Sequence, residues 1–184
     1  MAFKKNPEYA FDYAVDTFLA EKNGKNGFAH KNRFAMMLNF PPGISDSNPR
    51  TLNLMIDATT LPGQRILSRE GQFDGPMLKY PYSKAVEDVT VTFSGDGNLS
   101  IHNIFAKWLD KIINLDEYAL AYKKDIVADQ EVFQLDSKNI STYGVKLIDA
   151  FPTQISPIDL GNTNANTLQT FNVTFIFDRF DILS

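Results

Sequence analysis

Two hydrophobic periods alternate along this chain. Near the N-terminus Phe11, Val15, Phe18 and Leu19 recur at helical spacing. They follow Asn6, Pro7 and Glu8, which suit a cap, a first helical position and the helix dipole. This stripe predicts a helical segment within residues 1–27, ended by Gly24 and Gly27 amid Lys and Asn. From Arg33 the period falls to two. Phe34, Met36, Leu38 and Phe40 alternate with Arg33, Ala35, Met37 and Asn39, predicting a strand. Thr51–Thr60 alternates in the same way, with Leu52, Leu54, Ile56 and Ala58 on one face, until Leu61-Pro62-Gly63 breaks it. In Asp88–Ser94, Val89, Val91 and Phe93 again share a face. The helical period then returns at Ile101, Ile104, Phe105, Trp108, Leu109 and Ile112, predicting a helix from about Ser100, capped by Ser100 or Asn98.

Beyond that helix, Ile126–Leu135 and Ile140–Phe151 read as a hairpin joined by Asp136-Ser137-Lys138-Asn139, the second strand ending at Pro152 and Pro157. A small polar loop over 161–166 leads into a last strand, Thr167–Phe180, with Phe171, Val173, Phe175 and Phe177 on one face. Residues 64–87 carry Gly71, Gly75, Pro76 and Pro81 among the aromatics Phe73, Tyr80 and Tyr82. They read as a long excursion holding one or two short strands, of a length that points to contact with a neighbour. No repeat or linker divides the chain, so one domain is expected over 1–184, a helical segment (1–27) preceding a β-rich core (28–184). The fold class is α+β and mainly β: an antiparallel sandwich or partly open barrel, with an N-terminal helix and one packed helix.

Composition narrows the function. The 184 residues can bury a sizeable core, and 15 Phe with 7 Tyr favour strands and broad contact surfaces. There are no cysteines, which excludes disulfides, thiolate metal sites and cysteine nucleophiles. A formal charge of −4 without a basic cluster argues against gripping nucleic acid through phosphates. No apolar run approaches the roughly 20 residues that span a bilayer, and no secretory signal is read at the start, so the sequons at Asn98, Asn139 and Asn172 are taken as chance matches.

The search for chemistry ends empty. His30 and His102 are the only imidazoles and have no ligand-like neighbours in sequence, so no metal or cofactor is expected and both are read as surface residues. Gly95-Asp96-Gly97 precedes a helix but lacks the lysine of a phosphate loop, and no nucleophile elbow occurs. The Phe-rich last strand could line a ligand pocket, as in a small β-barrel binding protein, though core packing is the simpler reading.

Ordered motifs supply more. An F-A-x-x-N-x-F lead-in spans Phe28–Phe34, Ala58-Thr59-Thr60-Leu61-Pro62-Gly63 closes a strand, and Asp88–Phe93 precedes a helix carrying Trp108. Tyr122-Lys123-Lys124 stands before the hairpin, Phe151-Pro152-Thr153 at its end, and Gln169–Thr174 near the C-terminus. In this order, over roughly residues 28–180, the chain resembles the tail tube proteins of T4-like contractile-tailed bacteriophages. The resemblance implies a virion protein, assembled in the bacterial host cytoplasm, whose hexameric rings stack into a tube inside the sheath. Its partners would be further copies of itself, the sheath protein, the baseplate and the tail terminator, with DNA passing through the lumen without specific binding. Six copies at −4 would carry −24 per ring, and whatever part of that charge faces the lumen would repel DNA. On that reading Phe28, Leu61, Pro62, Phe73, Tyr80 and Tyr82 are candidate contacts between subunits or stacked rings, and no residue is catalytic. A baseplate tube initiator, a tail-completion protein or the tube subunit of a secretion-type injection machine would share the fold.

Overall fold

The computed structural model describes residues 30–44, 49–72, 75–115, 119–136, 138–158, 160–161 and 168–183. The expected N-terminal helix, Phe28, Phe73 and the polar loop from Asn162 onward lie outside these residues.

The elements in chain order are β1 (Phe34–Met37), α1 (Pro49–Leu54), β2 (Ile56–Thr59), β3 (Gln64–Gly71), β4 (Leu78–Val86), β5 (Val89–Ser94), α2 (Ser100–Ile112), β6 (Ile113–Asn114), β7 (Ala119–Leu120), α3 (Lys123–Ile126), β8 (Ala128–Leu135), β9 (Ser141–Ile155), β10 (Thr170–Ile176) and β11 (Arg179–Leu183). One seven-stranded antiparallel sheet runs in the order β1-β8-β9-β10-β5-β2, with β11 also paired to β9. Its hinge is β9. The first part of that strand pairs with β8 and β11, and its last part, Phe151–Ile155, pairs with β10. Between the two lies Asp149 at φ 56, a left-handed conformation that Asp tolerates better than most side chains. The sheet thus has two leaves, and it does not close into a barrel.

Alternation fills the space between them. Phe171 stands opposite Phe93, Val173 opposite Val91 and Phe175 opposite Val89, all six buried. Across this face lies α2, which buries Ile101, Phe105, Trp108 and Ile112. The rings interlock, with centroids 5.1 Å apart for Phe93 and Phe105, 5.4 Å for Phe40 and Trp108, and 6.2 Å for Trp108 and Phe175. The Phe-rich face of β10 is therefore covered by the helix, which corrects the ligand-pocket reading. On the other leaf Met36, Val132 and Val145 align across β1, β8 and β9 and are buried in turn. Gln130 is the buried polar side chain of this core. Its Oε1 accepts the Asn39 N–H at 2.9 Å, and its Nε2 donates to the carbonyl oxygens of Asn39 at 2.8 Å and Ala128 at 3.2 Å.

The mainly β, antiparallel architecture with one packed helix is as the alternation predicted, and several local expectations are corrected. Thr51–Thr60 is not one strand: Pro49 opens the short helix α1, which buries Leu52 and leaves Leu54 exposed, and pairing begins only at Ile56. Residues 64–87 form two long strands. Pro81 is tolerated there because it sits opposite Ser68 at a register shift. Pro152 does not end β9 either; it lies opposite Phe175 beside another shift. The last strand is broken at Phe177–Asp178 into β10 and β11. The N-cap position of α2 is Leu99, in the left-handed region at φ 49, and neither Ser100 nor Asn98. Asp96 accepts the Ser100 N–H at 2.8 Å and the Ser100 hydroxyl at 2.7 Å. His102 is half-buried, its ring edge-on to Phe171 at 5.5 Å, so it is not a plain surface residue.

Candidate assembly surface

The chain leaves the body at Leu61-Pro62-Gly63 and returns at Glu87, where the Glu87 N–H donates to the Gly63 carbonyl at 3.0 Å. Everything between is the β3–β4 arm. Its strands pair with each other from Gln64↔Val86 to Gly71↔Leu78, and with no other strand among the described residues. Unlike the body strands it has no buried face. Ile66 is 68% exposed, Leu78 53%, Tyr80 53% and Tyr82 66%. A cross-strand ion pair, Lys79 to Glu70 at 3.4 Å, ties the distal part, and the Gln72 amide donates to the Gly75 carbonyl at 2.8 Å. An isolated two-stranded hairpin is marginal in water, and apolar side chains on both faces of an unpartnered arm mark a contact surface.

The structure brings four of the six sequence-derived candidates to this feature. Tyr80 and Tyr82 lie on β4, while Leu61, exposed, and Pro62, half-buried, stand at the root. Phe28 and Phe73 fall outside the described residues.

Two further surfaces escaped the sequence reading. The first is a cleft of about 500 Å³ where the terminal strands of the sheet, β1 and β2, approach without pairing. Phe34, Ala58, Leu61, Val132 and Phe133 give it apolar walls, with Asp57 on one side and Lys31 on the other. The Asp57 carboxylate accepts the Ser94 hydroxyl at 2.5 Å. Phe133 lies over Gly144 so closely that a Cβ there would meet its ring at 2.9 Å. The second is an apolar patch at the end of α2, where Ile113, Leu115, Leu120 and Tyr122 are exposed beside a hollow reaching Phe151 and Pro152. Apolar residues continuing past the end of the α2 stripe are the signal that could have revealed it.

Two charged clusters brace the strands locally. On the outer face of β8 and β9, Lys146 bridges Asp129 at 3.0 Å and Glu131 at 3.9 Å. Burial pushes the Asp129 carboxyl up, but the Lys146 hydrogen bond, the Asp149 N–H and the Lys146 charge together hold it below the ordinary carboxylate range. The Ile140 N–H does the same for Asp136, assisted by the Lys138 N–H and by Lys138 and Arg33. Among the described residues no three His, Asp or Glu are grouped to hold a metal, and no helix is long and apolar enough to cross a membrane.

A sequence model of the family described as phage tail tube protein matches residues 29–183. No curated protein sequence matches the chain significantly. Solved structures of similar fold include a chain of the tube-terminating cap of the anti-feeding prophage, at a TM-score of 0.61 and 12% identity, covering 85% of this chain and 91% of that one. A chain of the sheath–tube complex of an extracellular contractile injection system, in its extended state, matches at 0.59 and 12% identity over 90% of this chain and 97% of that one. A chain of the anti-feeding prophage baseplate matches at 0.60 and 11% identity over 85% and 95%.

Proposed function

The chain belongs to the phage tail tube protein family, a family of structural proteins and not of enzymes, and from that premise we propose that it is the repeating protomer of a tail tube. Six copies close into a ring, rings stack into a tube inside a contractile sheath, and DNA passes through the lumen. Assembly takes place in the host cytoplasm, and the finished tube is part of the virion tail, joined to sheath, baseplate and terminator.

The observation that carries this reading is the β3–β4 arm, with its apolar side chains in water and no partner strand among the described residues of the body. Association must overcome roughly 4–15 kcal/mol of lost translational and rotational freedom. Burying one large aliphatic side chain contributes roughly 1.5–3 kcal/mol. Ile66, Leu78, Tyr80 and Tyr82, joined by Leu61 and Pro62 at the root, give each arm an apolar surface whose burial works against that cost. The apolar patch at Ile113, Leu115, Leu120 and Tyr122 provides a second surface, as a tube with both lateral and stacking contacts requires. Of a charge of −4 per copy, −24 per ring, the part that faces the lumen disfavours adhesion of DNA.

A second reading keeps the fold and changes the position: a tube-initiating or tube-capping subunit. The matches to baseplate and cap chains favour it. Electron microscopy of the purified protein at high concentration tests the first reading. Six-fold rings or tubes with an open lumen are expected. A protein that stays monomeric, even with sheath and baseplate proteins present, would overturn it. Copy number in the assembled tail separates the two readings, many copies for a tube protomer and one or two rings for an initiator or cap.

A further inference from the structure

We infer that the cleft between β1 and β2 is covered by the chain's own N-terminal segment, with the stripe of Phe11, Val15, Phe18 and Leu19 laid on its apolar walls. The cover belongs to a single copy before it meets another, so it does not depend on the tube-protomer reading. The family match begins at residue 29, and the stripe lies ahead of it, outside what the family model describes. β1 and β2 end the strand order, and a helix laid along such edges shields peptide groups that would otherwise template pairing with a stray strand.

Position favours this occupant. Lys31, Asn32 and Phe34 line the cleft, so the chain before them is delivered at its rim. Residues 20–29, with Gly24 and Gly27 among them, extend to about 33 Å at most, ample for the chain to double back over β1. A tether of that length holds the stripe at roughly millimolar effective concentration, which favours a chain's own segment over that of a second copy in dilute solution. Size agrees. In the helix that the stripe predicts, Phe11 to Leu19 runs roughly 12 Å, against roughly 13 Å for the four residues of β1. A helix this short is marginal in water and needs an apolar surface to pack on, which Phe34, Leu61 and Val132 provide. Charge fixes the orientation. At helical spacing Asp12 and Asp16 flank the stripe on one side, and Ala10 and Ala14 flank it on the other. The cleft has Lys31 on one side and Asp57 on the other. Lys31 has no ion pair among the described residues, while Asp57 already accepts the Ser94 hydroxyl. One of the two directions sets the aspartates beside Lys31 and the alanines beside Asp57; the reverse opposes like charges.

The chain has no cysteine, so Thr59→Cys places a single thiol in the cleft. Its rate of reaction with a maleimide is measured on the dilute full-length chain, once with the stripe intact and once with Val15→Asp and Phe18→Asp together. A covered cleft reacts only while it is transiently open, so the intact stripe is expected to slow labelling roughly tenfold or more. Equal rates in two proteins that circular dichroism shows to be folded would overturn the cover. A second measurement needs no disruptive variant. Thr59→Cys is combined on one chain with Val15→Cys, Phe18→Cys or Leu19→Cys, and the dilute protein is oxidised. A disulfide requires Cα atoms within about 7 Å. An internally linked monomer is expected for at least one of the three pairs. Linked dimers in place of linked monomers would give the cleft to a second copy's segment and overturn the cover, as would no link at any of the three. Neither measurement reads ring or tube formation, so the cover and the tube reading fail separately.

Discussion

The indole N–H of Trp108 donates to the carbonyl oxygen of Ile126 over 2.7 Å, joining the middle of α2 to the last residue of α3 inside the core. Both residues are buried, so water cannot replace either partner. Trp108→Phe keeps most of the ring and removes the donor. The stranded carbonyl and the smaller ring should together cost about 2 kcal/mol. For a chain of this size the melting temperature should then fall by roughly 5 °C. Thermal unfolding followed by circular dichroism checks this; an unchanged midpoint would mean the hydrogen bond contributes nothing.

Gln130 makes a harder case for buried polarity. Its amide group faces two carbonyl oxygens and one N–H. Gln130→Glu would replace the donor with an anion turned toward those two carbonyls. Burial raises the pKa of such a carboxyl, so the variant binds its proton more tightly folded than unfolded. Its destabilisation therefore grows with pH above the unfolded value of about 4.3 and is relieved on acidification. Urea midpoints at pH 5 and pH 8 should show the larger deficit at pH 8, and equal deficits would contradict the buried geometry.

The parts of the fold legible in the sequence were those where packing and period agree. Val89, Val91 and Phe93 alternate because one face of β5 is buried, and Ile101, Phe105, Trp108 and Ile112 recur because one stripe of α2 covers it. Where the period was weak, tertiary context decided. Leu52 and Leu54 alternate like strand residues, yet the turn that follows Pro49 buries one and exposes the other. The arm was misread for the opposite reason. With no buried face its residues carry no alternation, and Gly71 and Pro81 hide two long strands behind turn-like composition. Its tyrosines could be singled out as contacts because exposed aromatics are notable in any context. The cleft could not be found at all, since residues near 57–61 meet the paired strands β1 and β8 only through the rolling of the sheet.

The contact between Asp96 and Ser100, the first residue of α2, carries a pH dependence whose sign can be stated. The Ser100 hydroxyl, with its N–H, holds the Asp96 carboxyl below the ordinary carboxylate range, and the start of the helix favours its charge. A carboxyl whose folded pKa is depressed adds stability above its unfolded pKa of about 3.9 and loses it as pH falls through the folded value. Asp96→Ala should cost about 1 kcal/mol at neutral pH, within the usual range for lost hydrogen bonds on the protein surface. Below about pH 4 the gap between native protein and variant should narrow. Chemical unfolding across pH 2–7 measures it, and a gap that stays constant into acid would show that the carboxylate is not the group that accepts these bonds.

Among the described arm residues, Val86 at the root is the one packed, partly buried, against the core, so removing the arm costs the core little. The Gly63 carbonyl and Glu87 N–H already form a closed pair at its root, so an Asn-Gly turn in place of residues 64–86 meets the geometry of a two-residue hairpin. Because β3 and β4 pair with no body strand, the excised protein should keep its fold, with a melting temperature within roughly 4 °C of the full chain. It should also lose self-association, since the exposed Ile66, Leu78, Tyr80 and Tyr82 go with the arm. Sedimentation and electron microscopy report assembly, and circular dichroism reports folding. A folded, arm-free protein that still builds tubes would show that assembly runs through other surfaces, the α2-end patch first among them. An unfolded one would show that the packing of Val86 on the core stabilises the body more than strand pairing reveals.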